Sequence, residues 1–156
     1  MSHVDPPAAL DAVGFLVGRF RGHGRFRRGQ TVFEKDVVGR WEVGGHFLSL
    51  SMTASYRVAD AVADVHHALA VIGCDHASGD LEARVFTDGG GVFEHRLIVD
   101  RGRIAFRDRV PHEVRAAEAR TTLVVTPDGY EESLEITRGG ERFEPYSFVR
   151  LLRLAE

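Results

Sequence analysis

Lys35, His66, His95, Asp108 and Glu132 are polar residues that an alternating strand pattern turns toward apolar neighbours. A histidine facing a carboxylate is chemically the most specific arrangement among them. The segment "DRGR" (100–103) supplies the Asp and Gly that tight hairpins favour, and if Val99 opposes Ile104 across it, Leu97 opposes Phe106 and His95 opposes Asp108. A carboxylate beside an imidazole holds its tautomer, so the pair suits a general base with its orienting partner, or a histidine ligating a metal or haem iron. It equally suits a cross-strand ion pair near a rim.

Lys35 faces inward in a region walled by Phe33, Trp41, Leu50 and Tyr56. A buried cation without a partner is costly, so the lysine either meets a ligand carboxylate or escapes outward through a bulge or by snorkelling to an open mouth. An Asp128-Gly129 turn brings Glu132 to the face of Leu123, Val125 and Leu134, where it can meet a basic inner group. His66 and His67 are adjacent on a strand and point to opposite faces, which excludes a two-histidine inner metal site. A hairpin through "HASG" puts His66 with Ala68, Ala70, Ile72, Leu81, Ala83 and Val85, as an inner ligand or a hydrogen-bonded core residue.

The elements that must position these groups are strands. From Phe15 onward apolar residues recur mostly with period two, separated by "RRGQ" (27–30), "GG" (44–45), "HASGD" (76–80), "DGGG" (88–91), "DRGR", "PDG" (127–129) and "RGGE" (138–141). About ten strands follow. A two-residue Gly44-Gly45 turn opposes Trp41 to Leu48, Gly39 to Leu50, Val37 to Met52 and Phe33 to Tyr56 on an apolar face, with Glu42, Arg40, Asp36 and Glu34 on the other. The stretch "GRFRGHGRF" (18–26) fits beside this hairpin through a four-residue loop at 28–31. Arg25 then opposes Glu34 and His23 opposes Asp36 outside, while Phe26 meets Phe33 and Phe20 meets Gly39 inside. One short helix is expected near "AALDAV", capped by Asp5 with Pro6 and Pro7 in its first turn. The longer connections "RVADAVAD" (57–64) and "PHEVRAAEA" (111–119) each have room for a helical turn.

Composition narrows the function. Residues 1–156 read as a single domain, and the net charge of −3 supplies no overall field for nucleic acid or anionic membrane. The first ten residues lack a signal-peptide pattern, so a cytoplasmic location is expected. Cys74, the only cysteine, excludes an internal disulfide and a thiolate-rich zinc site, and reads as a small buried core residue. Nucleophile-elbow, phosphate-loop, zinc-protease and dinucleotide fingerprints are missing.

"GRFRGHG" resembles the Gly-x-Trp-x-Gly-x-Gly opening strand of nitrobindin-like haem-binding barrels, with Gly18, Gly22 and Gly24 at the glycine positions and Phe20 in place of the tryptophan. "GRWEVGGHFLSLSM" and "VIGCDHASGDLEARVFTDGGGV" are similar to strand and turn patterns in a group of bacterial lipocalin-like barrel proteins. The resemblance implies a ten-stranded barrel of the lipocalin and fatty-acid-binding superfamily with a central small-molecule cavity. Nitrobindin-like proteins take their axial histidine from a strand near the C-terminus, whereas no histidine follows His112 here, so haem would need His66 or His95.

The expected protein is thus all-β, an antiparallel up-and-down barrel of about ten strands with a short N-terminal helix closing one end. It binds a small apolar or amphipathic ligand, with Phe20, Phe33, Lys35, Trp41, Leu50, Met52, Tyr56, His66, His95, Phe106 and Glu132 as ligand-binding candidates. No cofactor, nucleic acid or membrane partner is expected. The alternatives are a haem barrel and a small enzyme using His95 and Asp108. The run "FVRLLRL" (148–154) suits a homodimer interface as readily as barrel closure.

Overall fold

The computed structural model describes residues 5–29, 31–108, 118–137 and 142–156. Their strands are β1 (Gly18–Phe26), β2 (Val32–Glu42), β3 (Phe47–Val58), β4 (Ala61–Cys74), β5 (Leu81–Thr87), β6 (Val92–Asp100), β7 (Arg103–Asp108), β8 (Glu118–Thr126), β9 (Gly129–Thr137) and β10 (Glu144–Arg153). Each pairs antiparallel with its sequence neighbours, and β10 returns to β1, so ten strands close into a barrel with no free edge. β10 buries Val149 and Leu151 on its inner face and leaves Phe148 and Leu152 outside. The run "FVRLLRL" therefore supplies the closing strand.

The alternation in β1 sorts by face. Phe20, Gly22 and Gly24 are buried, whereas Arg19, Arg21, His23 and Arg25 are exposed. The β1–β2 register differs by two residues from the sequence expectation, because Arg25 pairs with Val32 and not with Glu34. An even shift preserves the faces and changes only the partners. Arg21 now meets Asp36 at 2.7 Å and His23 meets Glu34 at 3.0 Å, exposed pairs of little energetic weight. Gly24 lies opposite Phe33, whose ring fills the space a Cβ would take, and a Cβ on Gly22 would strike the Arg150 carbonyl across the β1–β10 ladder.

The β2–β3 register follows the expectation from Glu42↔Phe47 to Val32↔Arg57. So do the hairpins joining β4 to β5 and β6 to β7. The β8–β9 turn falls at Pro127-Asp128 and not at Asp128-Gly129, because Gly129 already pairs with Thr126; the shift of two is even, so Glu132 stays on the face of Leu123. "RVADAVAD" holds no helical turn: β3 and β4 meet at Ala59 and Asp60, where Ala59 takes a positive φ, and a bulge follows beside Tyr56. Strand-forming valines on both sides extend the ladder to the turn. "PHEVRAAEA" lies outside the described residues apart from Glu118 and Ala119, which open β8. The "RGGE" turn and Gln30 also lie outside them.

The N-terminal helix, Ala8–Leu16, is a 3-10 helix whose N-cap is Pro7, with no side-chain cap, so Asp5 does not serve there. It seals one end of the barrel by burying Leu10, Val13 and Leu16 against the core. Arg153 of β10 donates from Nη1 to the Val17 carbonyl at 2.6 Å and from Nη2 to the Phe15 carbonyl at 3.0 Å, holding the helix's last turn. Cys74 is only partly buried against the core, and burial pushes its thiol up. No helix among the described residues is long and apolar enough to cross a membrane.

Candidate functional site

Inward side chains from eight strands line a cavity of about 160 Å³ in the middle of the barrel. Its apolar wall includes Leu50 and Met52 of β3, Ala70 of β4, Val85 of β5 and Phe106 of β7. Its polar groups are Lys35 of β2, His95 of β6, Thr121 of β8, and Tyr130 and Glu132 of β9.

Lys35 and Glu132 meet across two intervening strands. The Nζ lies 2.6 Å from Oε1 and 2.8 Å from Oε2, with the two side chains 13% and 19% exposed, so the pair is largely withdrawn from water. Gly22 is the register partner of Lys35 on β1. Tyr130 is fully buried, and burial pushes its phenol well above the usual range, with the Glu132 charge adding to the effect.

His95 and Asp108 are register partners, with Nδ1 at 3.3 Å from Oδ1. The separation allows electrostatic attraction, yet the geometry makes no hydrogen bond and the Nδ1 atom is buried without a hydrogen-bond partner. Burial lowers the His95 pKa below 6.5, while the Asp108 charge pulls it upward. His95 is therefore neutral at neutral pH, with one nitrogen able to accept a proton.

A second, outer compartment of about 480 Å³ lies at the mouth, lined by residues that include Arg27, Arg28, Tyr56, Asp64, His66 and Tyr146. His66 belongs here and not to the inner cavity, because β4 runs past the barrel wall and leaves its side chain 54% exposed. Its Nε2 contacts Asp64 Oδ2 at 2.9 Å, and Tyr56 packs edge-on against its ring. His67 faces outward to Thr53. Phe33 packs with Phe26 and Tyr56, at ring separations of 5.4 and 5.6 Å, in an aromatic cluster whose Phe26 and Tyr56 also line the outer compartment.

Of the sequence candidates, Lys35, Leu50, Met52, His95, Phe106 and Glu132 share the inner cavity. Phe20 is buried against Tyr130, ring centroids 5.0 Å apart, and does not line it. Trp41 lies at the sealed end beside Gly14 of the helix, 41% exposed, because β2 extends beyond the interior there. Tyr130 was not among the candidates, although its parity with Glu132 on β9 places it on the same face. Among the described residues no group of three or more His, Cys, Asp or Glu side chains is arranged to hold a metal ion.

A crystal structure of Rv2717c from M. tuberculosis aligns with a TM-score of 0.61 at 17% sequence identity, covering 97% of this chain and 100% of that one. The likeness is one of fold. No protein-family model matches the chain, and no curated protein matches it. Function has to be argued from the cavity itself.

Proposed function

We propose that this barrel binds a small apolar or amphipathic molecule in its inner cavity, as a carrier or sensor of the lipocalin-like type. The observation that carries the reading is an interior space of about 160 Å³ with aliphatic and aromatic walls and largely buried polar groups lining it. A volume near 150 Å³ is about that of a benzene-sized guest, so the ligand is one ring or a short branched chain with a polar head. Leu50, Met52, Val85 and Phe106 supply contact area, and Lys35, Glu132 and His95 orient the head. One chain suffices for this site.

Haem, the nitrobindin-like alternative, is less well supported. The cavity beside His95 is far smaller than a porphyrin, and the Nε2 of His66 is engaged by Asp64. A proton-transfer enzyme is favoured by one observation, the neutral His95 beside Asp108. That reading requires His95→Ala to abolish turnover of a responsive substrate while the fold survives; unchanged turnover removes it.

Calorimetric titration with benzyl alcohol at neutral pH tests the binding reading. The protein should bind with a Kd of about 10 μM to 1 mM, the range expected of so small a ligand. Ala70→Leu, which fills the cavity, should abolish that binding without loss of stability. Equal affinity in the two proteins, or no binding by either, would overturn the reading.

A further inference from the structure

The chain contains nineteen arginines and one lysine, and the lysine is Lys35. The single primary amine among its side chains is thus set in the wall of the inner cavity, with a carboxylate within 2.8 Å by both oxygens. Neutralising Glu132 does not by itself call for an amine. Arginine, used at the other nineteen positions, forms carboxylate pairs with better hydrogen-bond geometry. What lysine adds is a nitrogen that can lose a proton and attack a carbonyl carbon, which a guanidinium does not do.

We propose that Lys35 is a reactive amine that condenses reversibly with a small aldehyde or ketone held in the cavity, and that Glu132 carries the protons. The proposal rests on the binding reading above and names the chemical class of its ligand. The Lys35 ammonium first passes a proton to Glu132. The freed amine attacks the carbonyl carbon, the carbon–oxygen π bond opens, and the proton that nitrogen sheds ends on oxygen, giving a carbinolamine. Glu132 then returns its proton to the hydroxyl, which leaves as water as the nitrogen lone pair forms the carbon–nitrogen double bond. The sum is an ammonium and a carbonyl compound giving a protonated imine and one water, with no oxidant or reductant. The apolar walls hold the carbonyl near Nζ and limit the water available for the reverse step.

The test is reductive trapping. The full chain is incubated with benzaldehyde and sodium cyanoborohydride at neutral pH, digested, and mapped by mass spectrometry. The expected result is an N-benzyl group on Lys35, formed at least ten times faster than on the N-terminal amine and blocked by excess benzyl alcohol. Ala70→Leu should suppress the adduct by filling the space beside the amine. Glu132→Gln should slow its formation by about 100-fold, the lower end of what a positioned proton carrier contributes, with circular dichroism confirming the fold. Labelling of Lys35 no faster than the N-terminus, or insensitive to benzyl alcohol, would overturn the proposal. Benzyl alcohol binding without an adduct would overturn the imine and leave the binding site standing, whereas absence of both would overturn both.

Discussion

Replacing Glu132 with leucine strands the Lys35 ammonium beside Leu50, Met52 and Val85. At the observed 2.6 Å, opposite unit charges attract by about 6 kcal/mol at an effective dielectric constant of about 20. Withdrawing each ion from water costs several kcal/mol, so the intact pair comes out near neutral in net stability. Losing one partner removes the attraction and keeps the other ion's desolvation. Glu132→Leu and Lys35→Met should each destabilise the barrel by about 3 kcal/mol or more, a fall in Tm of roughly 6 °C or greater for a chain of this size. The double variant, with an apolar pair in the same volume, should return to within about 1 kcal/mol of the parent. Urea unfolding at neutral pH, followed by far-ultraviolet circular dichroism, completes the double-mutant cycle. Single variants that lose less than about 1 kcal/mol would refute the reasoning, since the pair would then be hydrated through the mouth and not buried.

His95 gives a pH dependence of definite sign. Burial holds its pKa below 6.5, so the unfolded chain takes up the proton first, and its contribution to stability is complete above that pH and declines as the pH falls toward the folded-state value. Urea midpoints between about pH 7.5 and pH 5.5 should drop for the parent and drop less for His95→Phe. Equal slopes would place the acid sensitivity elsewhere. Arg153→Ala should cost about 1–3 kcal/mol by releasing the Phe15 and Val17 carbonyls, and Arg153→Lys should recover little, because one ammonium does not reproduce the two-pronged geometry. Full rescue by lysine in thermal melts would show that charge alone matters there.

The strand order and most registers were legible because a tight turn fixes pairing and parity fixes facing. The turns at 44–45 and 100–103 alone place Lys35, Leu50, Met52, His95 and Phe106 on inner faces. Their convergence on one cavity was not legible, since it depends on barrel closure and on the tilt that brings β2 opposite β9. The β1–β2 register missed by two because alternation is unchanged by an even slip, and only the ring of Phe33 over Gly24 selects the true partner. Trp41 and His66 satisfy the same parity as the cavity residues but sit toward opposite strand ends, at the sealed end and the mouth. Parity carries no information about depth. A lone lysine among nineteen arginines was visible in the composition and marks the cavity more sharply than any motif.

Nine of the ten strand pairings join sequence neighbours, and only β1 with β10 joins segments more than a hundred positions apart. Folding can therefore proceed hairpin by hairpin at low loop-closure cost until the last ladder, whose entropy must be met in a single step. Amides of β1 and β10 should gain protection from exchange last during refolding. Arg153 belongs to that same final event, because its fork reaches the helix carbonyls only when β10 lies beside β1. Closing the wall and sealing the end are then one cooperative transition, and an intermediate with an open seam would hold neither the cavity nor its plug.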